Sequence, residues 1–178
     1  FIIQSLTNPS QVWENPFIAQ QDDFSRAIIF LVVLNRYPLD ENILAAAYHR
    51  YLALPENQNL HGRREFQSNI QLLTGSFLNR VVSSKGPPMI DLFNPSIGDY
   101  VLNRYSGDVA AIRIGMQSLK TYLSLITLRS LQGDNHLSEN DVKSICDSLA
   151  EHLIESDFEG VSISYVSRFF TVYRGCGG

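Results

Sequence analysis

The chain has 178 residues, of which 44% are hydrophobic, 18% charged and 11% aromatic; this suits one domain or two small ones and excludes a disordered or low-complexity chain. Eighteen acids against fourteen Lys and Arg leave a net charge of -4, which argues against a general nucleic-acid binder, because phosphate neutralisation needs a basic excess on at least one face. The longest apolar run, Ala27 to Leu34, has eight residues, short of the ~18 expected of a membrane-spanning helix.

Asn8-Pro9-Ser10 is a turn or helix-start signal. Trp13 and Phe17, four apart, fall on one side of a short helix. Asp22-Asp23 stand at the positive end of the next helix, along which Phe24, Ala27, Ile28, Leu31 and Leu34 step at helical intervals. That run is apolar all round, so it is expected to be the central buried helix; its β-branched content makes a buried strand the competing reading. Tyr37-Pro38 stops it. Asp40 caps a helix over 41–54, with Ile43, Ala46, Ala47, Arg50 and Tyr51 at helical spacing. A third helix is expected over 63–74, burying Phe66, Ile70 and Leu73, with Gly75 just past its end.

The pattern then changes. Phe77 to Val82 and Met89 to Phe93 are β-prone runs around Ser83-Ser84-Lys85-Gly86-Pro87-Pro88, which reads as a hairpin. Three helices followed by a hairpin is the order of a winged helix, with the hairpin as wing. Asn94-Pro95 starts a further helix with proline at its first position, carrying Ile97, Val101, Leu102 and Tyr105. One long helix is expected over 108–131, with Ile112, Met116, Leu119, Leu123 and Ile126 in one row and Leu125 and Leu128 in a second. Ser138, with Asp141 three residues on, opens another, whose apolar face is Val142, Ile145, Cys146, Leu149 and Leu153. Over 161–173, Val161, Ile163 and Tyr165 alternate like a strand, whereas Ile163, Val166, Phe170 and Tyr173 step like a helix; helix is the preferred reading. Gly175-Cys176-Gly177-Gly178 reads as a flexible end. The fold class is therefore mainly α with a small antiparallel hairpin: a lead-in over 1–19, a winged-helix domain over 20–106 and a helical extension over 107–178.

No GxxxxGK[ST], GxGxxG or GxSxG pattern occurs, so the segment is not expected to hydrolyse nucleotide by itself, and no enzyme activity, cofactor or metal is expected. His49, His61, His136 and His152 lack the spacing of a metal motif. Asp134, Asn135, Glu139 and Asp141 lack the order of a calcium loop and read as helix caps. Cys146 and Cys176 have no CxxC partner, and a reducing, cytoplasmic setting is expected. No membrane contact is expected. The start at Phe1, without an initiator Met, is expected of a piece of a longer protein.

Charge is uneven. Residues 61–90 hold Arg63, Arg64, Arg80 and Lys85 against Glu65, while 134–159 hold eight acids against Lys143. Arg63, Arg64, Gln67, Asn69 and Gln71 fall on the expected third helix, the element that reads DNA in a winged-helix regulator, with Arg80 and Lys85 on the wing. This face is the candidate contact surface, for protein or for DNA.

Several segments, covering about residues 5–105, resemble one family, the bacterial novel STAND NTPases, which are signal-transducing P-loop ATPases, several with antiphage roles. Asn8-Pro9-Ser10 with Trp13-Glu14 and Phe17 looks like the stretch after their ATPase core, and the run from Asp23 to Leu31 is similar to their first winged-helix helix. The likeness extends to Leu73-Thr74-Gly75-Ser76-Phe77-Leu78 and to Phe93-Asn94-Pro95-Ser96, followed by Asp99-Tyr100-Val101. Gly98 departs from the longer polar residue of the family pattern. The resemblance implies a non-catalytic adaptor whose partners are an upstream ATPase domain and a downstream sensor region of the same chain. It also implies a switch from a closed, ADP-bound state to an oligomer on activation. A winged-helix transcription regulator is the alternative.

Overall fold

The computed structural model describes residues 11–36, 38–82, 84 and 86–175; Asn8-Pro9-Ser10, Tyr37, Lys85 and the ending after Gly175 lie outside them. The mainly helical class holds, and the central helix is helix, not strand. In chain order, α1 spans Gln11–Ile18, α2 Asp23–Asn35, β1 Leu39–Asp40, α3 Glu41–Ala53, α4 Phe66–Leu73, β2 Leu78–Val81, β3 Met89–Leu92 and α5 Pro95–Arg104. Four helices follow: α6 Val109–Leu119, α7 Tyr122–Gly133, α8 Glu139–Glu155 and α9 Ile163–Gly175.

From α2 to β3 the order is helix, strand, helix, helix, strand, strand, and the antiparallel sheet is ordered β1-β3-β2. This is the winged-helix order, with one strand more than the hairpin: Leu39 pairs with Ile90 and Asp40 with Met89. A two-residue strand carries no readable alternation, so β1 is invisible to periodicity. The main hairpin pairs Leu78 with Leu92 through Val81 with Met89.

Helix α2 is the hub. Its residues from Ala27 to Asn35 are all buried, and it packs against α3, α4, α5, α6, α7 and β3. The Asp22 carboxylate caps it, accepting from the Ser25 N–H at 2.8 Å, and Arg36 closes it in the left-handed conformation. Asp40, Asn94 and Ser138 cap α3, α5 and α8 as their positions indicate, the last with Asp141 in a reciprocal capping box. Gly75, just past α4, has φ 86°, a conformation that favours glycine. A continuous apolar core runs from Phe17 to Val172. Among the described residues no helix is long and apolar enough to cross a membrane.

Three expectations need correction. The long helix over 108–131 is two helices, broken at Lys120 with φ 51°. Partners far away in sequence make the break: Arg50 donates from Nε to the Ser118 carbonyl at 2.7 Å and from Nη2 to the Leu119 carbonyl at 3.2 Å. Thr121 caps α7 and donates its hydroxyl to Asn35 Oδ1 at 2.8 Å. Second, only part of the row at helical spacing on α3 turns inward: Ala47 is buried and Arg50 and Tyr51 are half-buried. The helix buries Glu41, Leu44, Ala47, Tyr48 and Leu52, while Ile43 and Ala46 are exposed. Third, α9 buries Tyr165, Phe169 and Val172 against α7 and α8, leaving Ile163, Phe170 and Tyr173 outside. Both helices carry apolar residues on two faces, and tertiary fit decides between them.

Candidate functional site

The candidate face begins in the loop before α4. Two aspartates that start α2 also hold this loop: Asp22 Oδ2 accepts from the Arg63 N–H at 2.7 Å, and Asp23 Oδ2 from the His61 N–H at 2.8 Å. Gly62 between them has φ 125°, and a Cβ there would lie 2.3 Å from Asp22 Oδ2, so the clasp requires glycine. The buried Tyr48 hydroxyl donates to the Arg64 carbonyl at 2.8 Å; burial pushes this phenol up to about 12, so it stays a donor at neutral pH. Asn69 is wholly buried, accepting from Ser25 Oγ at 3.0 Å and donating to the Glu65 carbonyl at 3.1 Å.

These contacts revise the expected third helix. Arg63 and Arg64 precede it, because their backbone groups are bound to Asp22 and Tyr48, and Glu65 caps the first turn through the Gln67 and Ser68 N–H groups. Both arginines remain exposed. Asn69 faces the core instead of a partner.

Gln67 and Arg80 converge on Glu41, whose residue is only 6% exposed. Arg80 Nε donates to Glu41 Oε2 at 2.6 Å and Gln67 Nε2 to Oε1 at 3.1 Å. Burial works to raise this carboxyl, but the hydrogen bonds from Arg80 and Gln67 and the Arg80 charge outweigh it and hold it below its usual value. One side chain thus joins the first turn of α3, the first turn of α4 and the wing strand β2. Of the candidate face, Gln71 is exposed with Arg63 and Arg64, and Lys85 lies outside the described residues. Apolar Leu72 on α4 and Val81 and Val82 on the wing are also more than half exposed.

Asp23 is lowered too, first by the His61 N–H bond and, against opposing burial, by Arg26. Carboxyls depressed on folding contribute stability that is complete above their unfolded values of about 4 and lost as pH falls through the lower folded values. Thermal midpoints are therefore expected to fall with acidification below about pH 4, and Glu41→Gln should make that fall shallower. Equal slopes in the two proteins, read by circular dichroism, would contradict the clamp.

The Asn94-Pro95-Ser96 segment has a structural task. Asn94 Oδ1 accepts from the Ser96 N–H and from Ser96 Oγ, both at 2.9 Å, and Ser96 Oγ accepts from Trp13 Nε1 at 2.8 Å. The Phe93 side chain is exposed while its N–H donates to the Phe77 carbonyl at 2.9 Å. Asp99 is exposed, and Tyr100 is buried with its ring 5.6 Å from that of Phe17. The motif starts α5 and fastens α1 to it. Asn94→Ala is expected to cost about 1 kcal/mol and to shift the emission of Trp13, the one tryptophan of the chain. An unmoved spectrum would speak against the clasp.

Among the described residues no group of three or more His, Cys, Asp or Glu side chains is placed to hold a metal ion. Cys146 is buried on the apolar side of α8, and Asp141 serves the Ser138 cap. A second surface went unnoticed in the sequence: Phe158, Val161, Ile163, Val166 and Phe170 line an open apolar groove of about 510 Å³ along α9, where Ile163 is 89% exposed. The helical spacing of Ile163, Val166 and Phe170 was the available signal, although it reads equally as a core stripe. No protein-family model, curated protein or solved structure matches the chain.

Proposed function

We propose that the chain is a non-catalytic regulatory adaptor that works through protein contacts, coupling the nucleotide state of a STAND-type signalling ATPase to a sensor region. The observation that carries this reading over DNA recognition is the Glu41 clamp. It neutralises Arg80 and occupies Gln67, two groups that a DNA-reading face would spend on phosphates and base edges. The apolar side chains left outside on α4, the wing and α9 support protein partners, since clustered exposed apolar surface marks interaction sites. An adaptor needs two contact surfaces, and these lie in different parts of the chain. In such a switch, each ligand favours one of two packing arrangements.

Two measurements test the proposal. The reading frame is expected to encode a phosphate loop within about 300 residues upstream, roughly two domain lengths; its absence would sink the STAND assignment. Fluorescence polarisation with mixed-sequence duplex DNA is expected to show no steep salt dependence. Binding that weakens strongly with salt, and is lost in Arg63→Ala with Arg64→Ala, would establish the DNA-regulator reading instead.

A further inference from the structure

Where α3, the α6–α7 elbow and the end of α8 meet, a pocket of about 380 Å³ is lined by Arg50, Ser118, Lys120, His152, Ser156 and Glu159 among others. Its charge is opposite to that of its surroundings. Residues 134–159 hold eight acids and one lysine, yet three basic side chains from three separate segments face this one cavity. Arg50 spends Nε and Nη2 on the carbonyls that end α6, and these neutral acceptors leave its charge uncompensated. Lys120 Nζ spends one donor on the Glu159 carbonyl at 3.1 Å. Among the described residues neither Arg50 nor Lys120 has a carboxylate within ion-pair distance.

The basic groups also oppose one another. Burial, then Arg50, lowers Lys120, against a smaller raising effect of Glu159; burial, then Lys120, lowers His152, against Glu155. Two cations, Arg50 and Lys120, and the His152 imidazole are held together away from full solvation with Glu159 as the carboxylate of the lining, and they form a cavity whose charge an anion would complete.

We infer that this pocket binds a small phosphate-bearing anion. A tetrahedral phosphate offers oxygens in several directions and suits donors arriving from three segments, whereas a carboxylate presents two oxygens in one plane. The volume exceeds orthophosphate and accommodates a pyrophosphate or a phosphomonoester. Such a ligand would touch α3 and α8 together and so fasten the helical extension to the winged helix. This inference does not depend on the STAND assignment.

Isothermal titration of the full chain with orthophosphate, pyrophosphate, glycerol phosphate and succinate tests it. Saturable binding of at least one phosphate compound below about 1 mM is expected. Lys120→Asn, which suits the left-handed backbone at that position, should weaken it about tenfold, as loss of a charge-assisted hydrogen bond does. His152→Gln should weaken it at mildly acidic pH. Without ligand, Lys120→Asn should melt no lower than the parent, since relief of repulsion offsets the lost bond to Glu159; a lysine with a structural role alone would lower the midpoint and leave affinity unmoved. The inference is overturned if no phosphate compound saturates, if succinate binds as well as the phosphates, or if both variants bind like the parent.

Discussion

Gly115→Val is expected to destabilise the chain by about 3 kcal/mol, the upper part of the range for overpacking a closed core. Gly115 lies in α6 where that helix crosses α2, and a Cβ there would fall 2.3 Å from Leu34 Cδ1 and 3.1 Å from Phe30 Cε1. Leu34 is fully buried and Phe30 is 2% exposed, with its ring 4.3 Å from that of Tyr105. Neither can retreat without moving its neighbours. Gly115→Ala should cost less, because alanine recovers up to about 1 kcal/mol of helix propensity against the same crowding. Urea titrations of both variants check this. A valine variant as stable as the parent would mean that α2 and α6 are not in close contact.

Phe17→Ala comes next. Phe17 is fully buried, its ring 6.2 Å from that of Phe77 and 5.6 Å from that of Tyr100. Removing a buried phenylalanine ring costs about 3–5 kcal/mol where the surroundings stay closed. Here an alternative exists, since α1 has only eight residues and packs chiefly on α5. The variant is expected to release α1 before the rest of the chain unfolds. Trp13 emission should shift at lower urea than the loss of helical circular dichroism, whereas the parent should show one transition for both. Coincident transitions in the variant would show that α1 belongs to the cooperative core.

Local rules made much of this fold legible. The caps at Asp22, Asp40, Asn94 and Ser138 each depend on a side chain and a backbone within three residues, so the signal is written beside the helix it starts. What stayed hidden depends on distance. No glycine or proline marks the elbow at Lys120, because Arg50 and Asn35 set it from α3 and α2. The faces of α3 and α9 carry apolar residues on both sides, and periodicity alone does not say which side meets the core. The residues of the candidate face can be listed from the sequence, but the contacts they make are not legible there. Nothing in the sequence sets Glu41 apart from other first-turn acids, and only folding brings it to Gln67 and Arg80.

The burial of α2 from Ala27 to Asn35 also bears on how the chain is made. About 100 residues separate this helix from the end of α7, one of the layers that cover it. At ribosomal rates of about 5–20 residues per second, the nascent chain carries this largely apolar helix with its cover incomplete for roughly 5–20 s. During that interval α3 to α6 shield only part of α2, and the face that meets α7 stays open. The newly made chain is thus a natural client for holding chaperones, and truncations within α6 or α7 would leave it prone to aggregate.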